Sequence, residues 1–463
     1  MKIRKIKWKQ HPVLQNLELD FVNQATGQPY DNILLAGENG TGKTSILTTL
    51  NRFLNGYPIE YFEYIEYVSG SQILRAVPPT TQSDIDSGFY RMAKSNNDNF
   101  QVMNTGKNNG GGSNMIDDID NDPLNIRFSG CVLSKARADF LTQAITTTTV
   151  KQLDETNKDS DDDEDFTSLK QLIVDIESQD NSEYARINRD MDGATLSWAD
   201  FDRQSKIYRF KNAFNTFFDK IKYDRVVENG TEKKIQFIKN GTKISLDSLS
   251  TGEKQIVFRG AFLLKNNKRL NDSLIMVDEP ELSMHPKWQE KILQYYKSLF
   301  IDGIQKAQIL FATHSEHVLK EALSNKNENL VIVLMEDSGI IQSRRIDAPS
   351  VLSGITNAET NYLAFNIASN DYHIELYGWL QEKESLYSVN KCDTYIENHP
   401  AYDSAKHAKL WTFTHPKSGS VANYKTLSTY IRNCIDHPSN AMSFTENELR
   451  ISIELLIKIL KSN

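Results

Sequence analysis

Cysteine is scarce in this sequence: Cys131, Cys392 and Cys434 are the only three in 463 residues, and no two share a paired spacing. That excludes a disulfide framework and a cysteine-built zinc site, and leaves three buried or incidental thiols. No run of about 18 apolar residues occurs, and the basic start MKIRKIKWKQHPVLQ has no apolar core behind it. Neither a membrane span nor a signal peptide is indicated, and the expected location is the cytoplasm. A surplus of positive charge is missing too: 53 Lys and Arg stand against 61 Asp and Glu, a net charge of −8. The chain as a whole therefore has no general attraction for nucleic acid, and direct binding would need a local basic patch. No internal repeat and no long heptad pattern is present. What remains, with 39% hydrophobic residues, is a folded chain long enough for a large α/β domain with insertions or a second, smaller domain.

Short β-prone runs open the chain at 3–9 and 17–22, around HPVLQN, and ILLA at 33–36 is an apolar strand entering a glycine-rich loop. Beyond the loop, Ile46, Leu47, Leu50, Phe53 and Leu54 share one helical face. From 78 to 123 the sequence turns rich in Asn, Gly, Ser and Asp, and DETNKDSDDDED at 154–165 carries eight acids against one Lys; both read as flexible insertions. Regular structure resumes over 166–222. KKIQFIK and KISL then meet across Asn240-Gly241, the dipeptide that a type I′ hairpin favours. LIMV at 274–277, QILFA at 308–312 and LVIVLM at 330–335 are apolar strands, with the helical PKWQEKILQYYKSLF between the first two. This alternation predicts a parallel sheet with crossover helices over residues 1–356, followed by a mainly helical region at 357–463.

GENGTGKT, from Gly37 to Thr44, matches the phosphate-binding loop in full and stands between a strand and a helix. Gly37, Gly40 and Gly42 let the backbone wrap with its N–H groups toward phosphate oxygens, Asn39 sits at the tip, and Ser45 continues into the helix start, whose dipole favours an anion. Lys43 is placed for the β- and γ-phosphates of ATP, and the Thr44 hydroxyl for Mg²⁺. LIMVDE at 274–279 ends in two acids at the carboxyl edge of the sheet, where ligands of open α/β folds collect. Asp278 is the expected Mg²⁺ ligand and Glu279 the expected general base, since phosphoryl transfer demands mainly positioning and charge stabilisation. His314, after QILFAT, is expected to contact the γ-phosphate.

GENGTGKT, LSTGEKQ at 249–255, VDEPELSMHP and FATHS, in that order, resemble the Walker A, signature, Walker B with D-loop, and switch-histidine elements of ABC-class ATPases. The form ELSMHP resembles the soluble SMC, RecF and OLD-like branch more than membrane transporters. The resemblance spans about residues 1–335 and implies an ABC-type P-loop head whose copies pack head to tail, the signature of one closing the nucleotide site of the other. Ser250, Gly252 and Glu253 would then contact a neighbour's nucleotide, and one chain alone would hold two half-sites. Thr251 stands where the commoner signature has Gly. Gln72, Gln82 and Gln101 are the candidates for the family's Q-loop glutamine.

Arg432, Asn433 and His437 resemble the Arg-Asn-x-x-x-His arrangement of HEPN ribonucleases, although last-turn cations on a helix that Pro438 ends would look the same. NAETNYLAFNIASNDYHIELYGWLQEK and FTENELRISIELLIKIL resemble the tail of ATPases from bacterial anti-phage operons, the Septu type first and the PARIS type second. That resemblance implies an ATP-hydrolysing homo-oligomer controlling a separate HNH nuclease. A self-contained ATP-gated RNase toxin and a RecF- or SMC-like repair ATPase are the rival expectations.

Overall fold

Strand Asn32–Gly37 is buried at all six positions, as a strand covered on both faces must be, and it fixes the architecture of the N-terminal half. The computed structural model describes residues 1–54, 59–86, 90–103, 131–135, 137, 140–150, 163–191, 195–265, 274–299, 307–347, 350–414, 419, 421–438 and 442–462. These fall in two units, Met1–Arg345 and Ile346–Asn463.

In chain order the first unit runs β1 (Lys2–Trp8), β2 (Glu18–Asp20), β3 (Asn32–Gly37), α1 (Lys43–Leu54), β4 (Phe62–Ser69), β5 (Gln72–Val77), α2 (Gln82–Asp86), β6 (Tyr90–Lys94), β7 (Gln101–Met103) and β8 (Cys131–Ser134). It continues with α3 (Asp163–Asp190), α4 (Trp198–Asp202), α5 (Tyr208–Phe217), β9 (Ile221–Asn229), β10 (Glu232–Lys239), β11 (Thr242–Ser245), α6 (Thr251–Lys265) and β12 (Leu274–Asp278). It closes with α7 (Pro286–Gln289), α8 (Ile292–Ser298), β13 (Gln308–Ala312), α9 (Glu316–Ser324), β14 (Asn329–Asp337) and β15 (Ile340–Arg345).

One six-stranded sheet has the order β15-β14-β3-β13-β12-β8, parallel except for the edge strand β15. A second, antiparallel, runs β2-β1-β4-β5-β6-β7. Helix α1 lies between them. Its Ile46, Leu47, Leu50, Phe53 and Leu54 join one core with Ile3, Ile6 and Trp8 of β1 and with alternate residues of the parallel strands: Ile33 and Leu35, Leu274 and Met276, Leu310 and Ala312. Each large side chain buried there contributes about 1.5–3 kcal/mol. The opposite face is also covered, as the 5.3 Å contact of the Tyr296 and Phe311 rings shows. Gln308 knits the amino edges of both sheets. Its side chain donates to the Ile3 and Tyr30 carbonyls and accepts from the Ile3 amide at 2.8 Å.

The Asn240-Gly241 turn has φ values of 50° and 80°, as a type I′ hairpin requires, and joins β10 to β11 with Lys239 opposite Thr242. The expected insertion at 78–123 needs correction in part. Residues 90–94 and 101–103 are strands that extend the antiparallel sheet, because Tyr90 and Met92 bury against Phe53 and its neighbours; positions 104–123 lie outside the described residues. Of the acidic run, 154–162 lies outside the described residues, and 163–165 opens α3.

The unit boundary falls at 345/346 rather than at 356, because Ile346 and the Ser350–Leu352 turn belong with the C-terminal helices: Glu359 accepts from the Ser350 hydroxyl and the Val351 amide. The second unit comprises α10 (Asn357–Phe365), α11 (Asn370–Lys383), α12 (Val389–Asn398), α13 (Ser404–His407), the hairpin β16 (Ala408–Thr414) and β17 (Val421–Thr426), α14 (Leu427–Asp436) and α15 (Glu446–Ser462). Thr356, Ser369, Ser388, Asp403 and Thr426 cap the helices they precede. Tyr372, Leu376, Leu380, Ile431, Ile453 and Leu456 form the core at helical spacing.

Within this core His373 is fully buried, its Nε2 2.9 Å from the Ser452 hydroxyl, which donates to Ser428. Burial pushes the imidazole down to about 3. The unfolded chain takes up a proton below about pH 6.5 that the folded unit refuses, so stability is complete above that pH and is lost as pH falls toward 3. Between pH 6.5 and 5 this amounts to about 2 kcal/mol. His373→Gln keeps a donor but does not titrate, and its denaturation midpoints at pH 7 and pH 5 should differ less than those of the unaltered protein. Equal differences would assign the acid sensitivity elsewhere.

Candidate functional site

Register brings the motifs to one edge. Leu35 and Asp278 both stand opposite Ala312, so the glycine loop after β3, the acids ending β12 and His314 after β13 leave the sheet side by side. Gly37 has φ 141°, and a Cβ there would lie 2.4 Å from the Leu334 carbonyl; Gly42 has φ 89°, and its Cβ would meet Leu14 at 2.3 Å. These two glycines are required sterically. Gly40, φ 85°, and Asn39 form the exposed tip, and Ser45 is half-buried in the first turn of α1. Lys43 folds back into the loop, its Nζ donating to the Gly37 and Glu38 carbonyls at 2.8 Å each. Burial lowers the ammonium pKa to about 8, against the opposing pull of Asp278, Glu279 and Glu281.

The Thr44 hydroxyl donates to Asp278 Oδ2 at 2.9 Å. Burial raises the Asp278 carboxyl pKa, the Thr44 hydrogen bond opposes this, and Glu279 adds to it. A hydroxyl and a carboxylate held together at the foot of an anion loop are a fitting oxygen donor pair for Mg²⁺. Glu279 has left-handed backbone, φ 45°, which costs a non-glycine residue about 1 kcal/mol. Its amide donates to the Ala312 carbonyl at 2.9 Å, and its Oε1 lies 3.5 Å from His314 Nε2. Burial, then the charge of Lys43, pushes the His314 pKa down, while Glu279 and a hydrogen bond to the Gly37 backbone oppose the shift.

Three further residues of this site escaped the motif reading. Glu281 buries its carboxyl, whose pKa rises for that reason, and accepts the His314 amide at 2.7 Å. Its only sequence signal is a second acid two places after Glu279. Gln255 and Arg259 of α6 reach main-chain carbonyls of the Walker B and D-loop segment: Gln255 that of Leu282, Arg259 those of Asp278 and Glu279.

Ser250, Gly252 and Glu253 of the signature do not touch the phosphate loop. Ser250 is exposed, and among the described residues no hydrogen bond links it to the loop at 37–44. Glu253 turns inward, accepting the Ser250 amide at 2.9 Å and the Lys239 ammonium at 2.8 Å, so it caps α6 and fixes the presentation of Ser250. Gly252 has a steric role: a Cβ would lie 2.4 Å from the Ser283 carbonyl, so its absence lets α6 press on the D-loop. Gln72, Gln82 and Gln101 stand at β5, α2 and β7, none of them in the parallel sheet; the strand beside β12 is β8, which ends in Ser134. In the second unit the Arg432 guanidinium is held by Asp436 at 2.7 Å and by Asn433 at 2.9 Å, while His437 is the exposed C-cap of the same helix. A cavity of about 1130 Å³ also lies in that unit, against α12, and holds none of the expected site residues.

A parallel sheet with a complete phosphate loop, two acids on the adjoining strand tip and a signature helix packed behind them with its Ser250 end exposed defines a P-loop ATPase head of ABC type. The chain belongs to the family described as "AAA domain, putative AbiEii toxin, Type IV TA system", whose model matches residues 33–320. It is similar to the Septu protein PtuA of Bacillus thuringiensis, with 23% identity over 325 residues, 66% of this chain and 71% of that protein. It is also similar to "Retron Vc95 probable ATPase" of Vibrio cholerae serotype O1 biovar El Tor, 34% identical over 98 residues, a match to 19% of this chain and only 18% of the relative's length. An SMC head solved with the C-terminal winged-helix domain of ScpA overlaps 75% of this chain and 98% of its own, at 12% identity and a TM-score of 0.44. Among the described residues no helix is long and apolar enough to cross a membrane.

Proposed function

We propose that this chain binds and hydrolyses ATP with Mg²⁺ as a cytoplasmic homo-oligomer of head-to-tail heads, and that its nucleotide state controls a partner nuclease of HNH type in an anti-phage defence complex. The observation that carries the hydrolytic part is the convergence of Lys43, Thr44, Asp278, Glu279 and His314 on one sheet edge, with Thr44 and Asp278 2.9 Å apart. Lys43 and the loop amides bind the phosphates. Thr44 and Asp278 hold Mg²⁺, which when bound draws charge from the transferring phosphoryl group. Glu279 takes the proton of the attacking water, and His314, 3.5 Å from the Glu279 carboxylate, contacts the γ-phosphate. A cleft of about 380 Å³ beside the loop, lined by His11, Thr44, Ser45, Thr48, Arg52 and Tyr61, gives the nucleoside room.

The head-to-tail assembly is supported by Ser250, exposed at the start of a capped helix and unconnected to its own chain's loop. The defence role is supported by the likeness to a Septu protein and to a retron ATPase, and the partner nuclease is what the resemblance of the C-terminal stretches to Septu-type ATPases implies.

A mixing experiment tests the shared site. Ser250→Arg puts a bulky cation where a neighbour's phosphate docks but leaves its own loop intact, and Lys43→Ala does the reverse. Each variant alone should be inactive. Mixed, they form one pair of intact loop and intact signature, and ATPase activity should return in part. Full activity of Ser250→Arg by itself would remove the head-to-tail site.

A further inference from the structure

Arg259 is among the largest side chains that are almost wholly buried, at 2% exposed, and no described carboxylate lies within ion-pair distance of it. A guanidinium offers five donors and no acceptor, so burying one without an acid requires main-chain oxygens around it. Arg259 finds them in two separate segments. Nη1 and Nη2 both donate to the Asp278 carbonyl at 3.2 Å, and Nη2 also faces the carbonyls of Lys135 at 3.1 Å and Glu279 at 3.5 Å. Asp278 and Glu279 carry the acids of the ATP site, and Lys135 follows β8, the neighbouring strand of the parallel sheet.

The Asp278–Glu279 peptide is thereby pinned from two sides, its N–H by the Ala312 carbonyl and its C=O by Arg259, just ahead of the left-handed conformation that no unaided Glu favours. The residue that pins it lies nine positions after Ser250 on α6. The start of that helix is clamped by Glu253 to Ser250 and Lys239 and seated through Gly252 on the Ser283 carbonyl. A displacement at the exposed Ser250 end of so constrained a helix moves the guanidinium and, with it, the backbone that aims the Glu279 carboxylate.

We infer that Arg259 is a positioning residue that couples the seating of the signature end of α6 on a neighbouring head to the aim of Glu279 in the same chain. Each closed site thus sharpens the aim of the other's base, so a mixed pair with one intact site turns over at well under half the rate of two. This rests on the proposed ATP hydrolysis by head-to-tail heads.

The test measures steady-state ATPase activity against ATP concentration, and ATP binding separately, for the full chain and for Arg259→Gln and Arg259→Lys. Arg259→Gln should lower kcat about a hundredfold, the scale of a misplaced catalytic group, with ATP affinity changed less than about threefold. Its ATP dependence should become hyperbolic where the unaltered protein is sigmoidal. Arg259→Lys retains a donor that reaches fewer carbonyls and should recover part of kcat; it also carries the test if the Gln variant does not fold. An equal fall in binding and turnover would mark Arg259 as merely structural and overturn the inference, as would full kcat in either folded variant. Hyperbolic kinetics of the unaltered protein would overturn the coupling while leaving ATP hydrolysis in place. Absence of any ATPase activity in the unaltered protein would overturn the functional reading itself, a result distinct from all of these.

Discussion

Glu279→Gln subunits are expected to bind ATP and keep it, with turnover lower by about two to four orders of magnitude, the range that a positioned base contributes. The substitution exchanges one carboxylate oxygen for an amide nitrogen and changes little else. The left-handed backbone is held by Ala312 and Arg259 through main-chain atoms, which glutamine also has. The remaining amide oxygen can face His314 Nε2, which stands 3.5 Å from the carboxylate. Thr44 and Asp278 are untouched, so the metal site and the phosphate loop persist. Only the capacity to accept the proton of water is gone. Nucleotide retained on the purified variant, with little phosphate released, is the expected observation. Phosphate release at the unaltered rate would shift the base elsewhere, and Glu281, buried beside His314, would be the next residue to replace.

How much of this site was legible in the sequence depended on how each contact is made. Gly37–Thr44, Asp278, Glu279 and His314 were readable because each motif is a short contiguous stretch at the end of an apolar strand, and a parallel sheet delivers such ends to one edge. Arg259 and Gln255 were not readable, because their targets are main-chain carbonyls about twenty or more positions away, and a carbonyl has no residue identity in a sequence. The motif LSTGEKQ points to a neighbour's nucleotide but does not indicate the contacts its residues make within the chain: Glu253 caps its own helix, and Gly252 admits the Ser283 carbonyl. In the fold, β6 and β7 hide in a polar run because only Tyr90, Met92 and Ala93 are buried in β6. The hairpin β16–β17 was lost because a two-stranded ribbon needs no long apolar stretch. The helices of the second unit were readable because Ser, Thr or Asp caps introduce amphipathic runs there.

Lys43→Ala should weaken ATP binding about thirty- to several-thousandfold, the equivalent of removing one partner from a buried, charge-assisted pair at about 2–5 kcal/mol. Two losses combine. The first is the cation itself: burial lowers the Lys43 pKa, three acids, Asp278, Glu279 and Glu281, lie close enough to pull against that shift, and without the ammonium the triphosphate would approach an uncompensated acidic edge. The second is the loop. The Lys43 ammonium donates to the Gly37 and Glu38 carbonyls, and its removal leaves both oxygens to find another donor while φ at Gly37 stays at 141°. The sheet beneath is unaffected, because the core face of α1 is carried by Ile46, Leu47, Leu50, Phe53 and Leu54. Thermal unfolding should therefore change little, which separates a binding defect from a folding one. Titration with a fluorescent ATP analogue at fixed Mg²⁺ measures the affinity, and a melting curve on the same sample measures the fold. A folded Lys43→Ala protein that binds ATP as well as the unaltered chain would mean that the 37–44 loop does not hold the nucleotide. The roles of Thr44, Asp278 and Glu279 would then fall with it, since all of them are defined by what that loop positions.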